Sequence, residues 1–221
     1  MVIGELLPLA LVVTISPINI IAAILLLFTK RPLVTASSYL AGFIAGVAVM
    51  LTAFVAIAGA VDLSAGSGHA TWGAALKSAL GGCLLVAGVH KFRGRPRNDG
   101  DASLPKWMDG VVGYGGGRSL GTGVVVGALN PKNIAVGLAA AITVASAGLS
   151  TGEQIGTIAV YVFIAVLGVA APILVMLSLG DKAQEVLGGW RSWLERNNST
   201  VMSVLYLVFG VVLIGQGIAG I

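Results

Sequence analysis

ALNPKNI (128–134) lies deep within an apolar run, and SPINI (16–20) lies within another, with Pro131 following Pro17 by 114 positions. Both stretches keep the core Pro-x-Asn-Ile: Pro17, Asn19 and Ile20 in the first, Pro131, Asn133 and Ile134 in the second. The same offset aligns Thr29 with Thr143 and Gly42 with Gly156. A proline inside a helix has no N–H to donate and crowds the carbonyl one turn back. Pro17 therefore frees the carbonyl of Val13, and Pro131 that of Gly127. In a bilayer, freed carbonyls need other donors. Asn19, Asn133, Asn130 and Ser16 stand beside the prolines and can supply hydrogen bonds, as can water in a cavity. The two stretches read as helix interruptions, or as proline kinks in which asparagine joins neighbouring helices.

The surrounding sequence fits a membrane. Hydrophobic residues make up 57% of the 221 positions and charged residues 10%. Mean hydropathy is +0.97. A soluble domain carries roughly 25% charged residues. Six segments are long and apolar enough to span a bilayer: about 4–28, 34–60, 73–90, 122–148, 153–178 and 200–220. Long runs without alternation read as helices rather than barrel strands. The start, MVIGELLP, lacks the basic region of a cleavable signal, so the first segment is expected to stay as a span. The expected fold is an all-α integral membrane protein in one transmembrane domain, 1–221.

Of the 13 basic residues, all but Lys77 and Lys132 fall in the first, third and fifth connections. The second and fourth connections hold Asp62 and Glu153 instead. Basic loops stay in the cytoplasm, so both termini are expected outside. This distribution, rather than nucleic-acid binding, explains a pI of about 9.5. The long third loop, about 91–121, divides the chain into repeat one (about 1–90) and repeat two (about 122–221). Three helices per repeat give the halves opposite orientations, the inverted-repeat plan of many secondary transporters, whose sites lie where helices 1 and 4 break. In the third loop, Arg93, Arg95, Arg97 and Lys106 can meet anionic headgroups, and Trp107 suits the bilayer interface. A more specific reading has this loop recruit a substrate or partner.

Lys132 is the sharpest chemical signal. A lysine at mid-span costs about 2.5–3.5 kcal/mol on insertion scales. The carboxylates Glu5, Asp62 and Glu153 sit near helix ends, so none is expected at its depth. Three readings are open: recognition of an anionic group in a central cavity, an ion pair with Glu153 or Asp62, or a proton-coupling role. The expected substrate-binding set is Lys132, Asn130, Asn133, Asn19 and Ser16, with Pro17 and Pro131 as the helix breaks. Pro172 is expected to kink the fifth span, and with Glu153 and Asp62 forms a candidate gating or ion-pair group. Lys77 is expected to snorkel, His69 and His90 to lie in or beside loops, and Cys83 to be a small packing residue. Gly42 and Gly46, and again Gly123 and Gly127, form GxxxG pairs suited to close helix packing. One thiol gives no disulfide or CxxC chemistry, and two isolated histidines give no metal site. GYGGG (113–117) lacks the lysine and Ser/Thr of a nucleotide-binding loop. Neither an enzymatic cluster nor a cofactor is expected.

Three stretches together, SPINIIAAILLLFTKRP (16–32), PKWMDG (105–110) and ALNPKN (128–133), resemble the GAP family of mycobacterial and related actinobacterial membrane proteins. That family includes peptidoglycolipid- and sulfolipid-addressing proteins and belongs to the wider lysine-exporter (LysE) superfamily. The resemblance implies a plasma-membrane exporter of about six helices that moves complex polar lipids toward the envelope. It places Pro17, Asn19, Asn130, Pro131, Lys132 and Asn133 in the signature region. The expected function is export or flipping of an anionic envelope lipid by alternating access, with the bilayer and the lipid as partners. The alternatives are a small-solute exporter for an amino acid or ion, and a non-transporting assembly factor. A homodimer, or association with envelope-lipid biosynthesis and export machinery, is left open.

Overall fold

The computed structural model describes residues 2–60, 67–95, 108 and 110–219. These form helices α1 (Val2–Thr14), α2 (Pro17–Leu27), α3 (Pro32–Ala60), α4 (Ser67–Arg93), α5 (Gly116–Leu129), α6 (Pro131–Ser146), α7 (Thr151–Leu179) and α8 (Ala183–Ala219). Short 3-10 turns at Val111–Gly113 and Gly180–Lys182 join them, and no strand occurs among the described residues. By length and composition, α3, α4 from Trp72, α7 and α8 can each cross a membrane. The pairs α1–α2 and α5–α6 pass the same test together but bend by 51° and 56° at their breaks. The chain is thus a multi-pass helical membrane protein with four unbroken candidate spans, or up to six if each bent pair counts as one.

Both breaks fall at the Pro-x-Asn motifs. Pro17 and Pro131 are the first residues of α2 and α6, where a missing N–H costs nothing and the fixed φ suits a helix start. Proline alone does not break these helices, since α1 runs through Pro8 and α7 through the buried Pro172 without interruption.

Small residues set the packing. The GxxxG glycines of α3 and α5 face each other. A Cβ on Gly42 would collide with the Leu120 carbonyl, and one on Gly123 with the Tyr39 carbonyl. Gly46 and Gly127 meet the Val124 and Phe43 carbonyls in the same way. Helix α7 approaches α1 through Gly168, which lies against the Thr14 carbonyl. The Thr14 hydroxyl donates to the Ile164 carbonyl of α7 at 2.5 Å. Helix α3 also packs on α6, α7 also on α2, and α4 packs along α8.

Some expectations change. The fifth connection is mostly helix: α8 starts at Ala183 rather than near residue 200. Hydropathy missed this part because it is amphipathic. Ala183, Leu187, Leu194 and Asn198 form a buried stripe, Val186, Trp190 and Trp193 an exposed apolar one, and Arg191 pairs with Glu195 at 2.6 Å. Gly188 and Gly189 each cost about 1 kcal/mol in a helix, less than the buried stripe returns. Helix α4 extends past 73–90 at both ends, so His69 and His90 stand in its first and last turns, beside the connections. Lys77 is only 8% exposed. Cys83 faces outward from α4 instead of packing inside.

Candidate functional site

The two breaks carry equivalent backbones and unequal donors. In a regular helix the carbonyls of Val126 and Gly127 would receive the N–H groups of residues 130 and 131. Pro131 has none. The Asn133 amide nitrogen turns back and donates to both carbonyls, at 3.2 and 3.1 Å. Asn130 caps α6, its side-chain oxygen accepting from the backbone N–H of Lys132 at 3.0 Å.

At the first break the Ser16 N–H bonds the Thr14 carbonyl, which leaves those of Val12 and Val13 without their regular helical donors. Asn19 is the positional counterpart of Asn133, yet neither its amide nitrogen nor its oxygen has a partner among the described residues. It is only 1% exposed. The donor to Val12 comes from the other break: the Lys132 ammonium reaches the Val12 carbonyl at 2.6 Å. Lys132 is 3% exposed and stitches the two interruptions together. Ser16, which precedes Pro17, is buried and makes no capping bond from its side chain.

The sequence anticipated that freed carbonyls would need donors, and asparagine does serve Gly127. It did not identify Lys132 as the donor to Val12. The other expected partners of Lys132 stand elsewhere or out of view. Glu153 is exposed at the start of α7, where its carboxylate accepts from the Ser150 hydroxyl at 2.7 Å and N–H at 2.9 Å in a capping box. Asp62 lies outside the described residues, as do Arg97, Lys106 and Trp107. Arg93 ends α4, and the Arg95 guanidinium stacks over the Phe92 ring at 4.0 Å. Two further buried polar groups escaped the sequence reading. The Tyr39 and Tyr161 hydroxyls lie fully inside α3 and α7 with no partner among the described residues. Lone tyrosines in apolar helices give no signal that distinguishes a site from a core.

Two cavities open at opposite ends of the broken spans. One, of about 440 Å³, lies where α2 gives way to α3, lined by Thr29, Lys30, Arg31 and Thr35 and by Tyr114 and Gly115 before α5. The other, of about 660 Å³, lies between the end of α6 and the start of α7, lined by Ala145, Gly148, Thr151 and Gln154 and by Thr52 and Ala56 of α3.

No curated protein and no solved structure matches the chain significantly. The family model described as Sap, sulfolipid-1-addressing protein, matches residues 6–219, the two breaks and all of the spans between them included. The chain therefore belongs to the sulfolipid-1-addressing protein family.

Proposed function

We propose that this protein exports or flips a polar, anionic envelope lipid across the plasma membrane, with Lys132 reading the headgroup. The observation that carries the reading is the placement of Lys132. A buried cation costs several kcal/mol, and one hydrogen bond from a charged donor returns about 1.5–3 kcal/mol. A single neutral carbonyl offsets only part of that cost. An anionic headgroup that displaces the Val12 carbonyl would complete the compensation, with Asn130, Asn133, Asn19 and Ser16 as the surrounding polar groups. The family's description as sulfolipid-addressing agrees with a lipid whose headgroup is an oxyanion.

The mechanism proposed is alternating access between two inverted three-helix repeats: α1–α2, α3 and α4 in one, α5–α6, α7 and α8 in the other. Exchange of the repeats preserves part of the packing, although α1–α6, α2–α3 and α7–α8 have no counterpart of similar extent. The α3 contacts with α5 and α6 become the α7 contacts with α1 and α2, while α4 with α8 maps to itself. By the charge rule the basic end is cytoplasmic and the termini are outside. Acyl chains would stay in the bilayer while the headgroup passes the breaks.

Reconstitution into liposomes with a fluorescent anionic glycolipid tests this. Wild type is expected to translocate the probe, Lys132→Ala to lose at least about 90% of the rate, and Lys132→Arg to keep part of it. Translocation that survives Lys132→Ala unchanged would remove Lys132 from the mechanism. Efflux of an amino acid by a wild type that moves no lipid would assign the protein to small solutes instead.

A further inference from the structure

The two cavities at the ends of the broken spans share one wall that is equivalent in sequence. The offset of 114 that superposes Pro17 on Pro131 also carries residues 29–35 onto 143–149. The first block lines the smaller cavity and the second the larger. The two cavities share this one equivalent wall, and its chemistry differs between them. Lys30 and Arg31 correspond to Val144 and Ala145. One cavity thus presents two cations beside the hydroxyl-bearing Thr29 and Tyr114. Among the described residues, the lining of the other carries Thr151 and Gln154 and no charged side chain.

We propose that the cavity at Lys30 and Arg31 is the loading site for the oxyanion headgroup, a phosphate or sulfate ester, and that its neutral counterpart is the release site. This rests on the lipid-export reading and adds to it both a first binding station and a direction. An oxyanion accepts charge-assisted hydrogen bonds from Lys and Arg that are about twice as strong as neutral ones. A headgroup is therefore concentrated at the basic end and held weakly at the other. Between the two stands Lys132, locked on Val12 until an anion arrives. Positive loops also orient a protein in its membrane. Orientation requires only net charge in the loop. It does not require those charges to line a cavity floored by Gly113, Gly115 and Gly116.

That floor offers a second probe. A Cβ at Gly115 meets nothing within 4 Å, and its backbone is extended with a negative φ that any residue adopts. Gly115→Leu therefore fills the cavity without disturbing the fold. Gly117, where a Cβ is equally unobstructed but which does not line the cavity, provides the control.

The test measures binding of a fluorescent short-chain sulfolipid to the purified protein in nanodiscs of zwitterionic lipid, and its transport in liposomes. The double variant Lys30→Gln/Arg31→Gln is expected to weaken binding about tenfold or more. Lys30→Arg should retain it, Gly115→Leu should weaken it comparably, and Gly117→Leu should not. Gln154→Lys, which places a cation in the neutral cavity, should leave binding intact and slow net transport toward that side. Displacement of the probe by inorganic sulfate or phosphate would support a site that also takes the free anion. Displacement by the lipid alone would support one that takes the ester with its chain. Unchanged binding in both the double variant and Gly115→Leu would overturn the inference, and would leave the lipid-export reading standing if the wild type still transports. A wild type that neither binds nor moves the probe would overturn both.

Discussion

Asn133 donates from a single amide to two carbonyls that lack their regular backbone donors at the second break. Asn133→Leu would leave both buried acceptors without that donor, at about 1–3 kcal/mol each. We expect a total loss of about 2–6 kcal/mol, read as reversible unfolding in detergent micelles. Asn19→Leu removes a buried amide whose two polar atoms have no partner among the described residues. That change should be nearly neutral or stabilising, while transport falls if the amide serves the headgroup. Equal destabilisation by the two substitutions would mean that Asn19 is bonded in the membrane. The sequence displayed both asparagines, both prolines and the lysine at their places. It could not display the Lys132 to Val12 bond, because the acceptor is a backbone carbonyl 120 residues away. Every residue owns such a carbonyl, so no side-chain pattern marks the one that is used.

Helices α3 and α5 meet backbone to backbone, with no room for a methyl group at Gly42 or Gly123. Gly42→Leu or Gly123→Leu should force the pair apart and cost at least about 1–3 kcal/mol, as overpacked interiors do, seen as a lower melting temperature in micelles. Gly188→Ala and Gly189→Ala meet open space on the amphipathic start of α8. Each should stabilise by about 0.5–1 kcal/mol, and a loss at either would show that this helix start is not formed. The apolar bodies of α3 and α7 were legible from hydropathy alone, and their observed ends fall within a few residues of those expected. The first 17 residues of α8 (183–199) were not, since a hydropathy window averages their apolar stripes with the polar face between them. A count at helical spacing, in which Ala183, Leu187, Leu194 and Asn198 recur, carries the signal that the average erased.

At the level of the whole molecule, sidedness decides how the two cavities are used. On a Cys83→Ser background, Gly152→Cys at the start of α7 is exposed with open space around it. Ser192→Cys is exposed on the far side of the α7–α8 connection. An impermeant maleimide added to intact cells should label the first alone, and the second only after permeabilisation. The reverse pattern would invert both the orientation and the proposed direction. Loop charges supply an expected sidedness that this labelling tests, and the paired motifs made the bent spans legible. The placement of the cavities was not, because it depends on how the five connections fold over the ends of the bundle. The bond between Lys132 and Val12 has one more consequence. A cation anchored to a helix by its own chain does not cross the bilayer with a cargo, so under the proposed export each monoanion would move a net charge. The transmembrane voltage would then act as a pump: about 2.3 kcal/mol per charge at 100 mV, enough for roughly a fiftyfold outward accumulation without any nucleotide being hydrolysed.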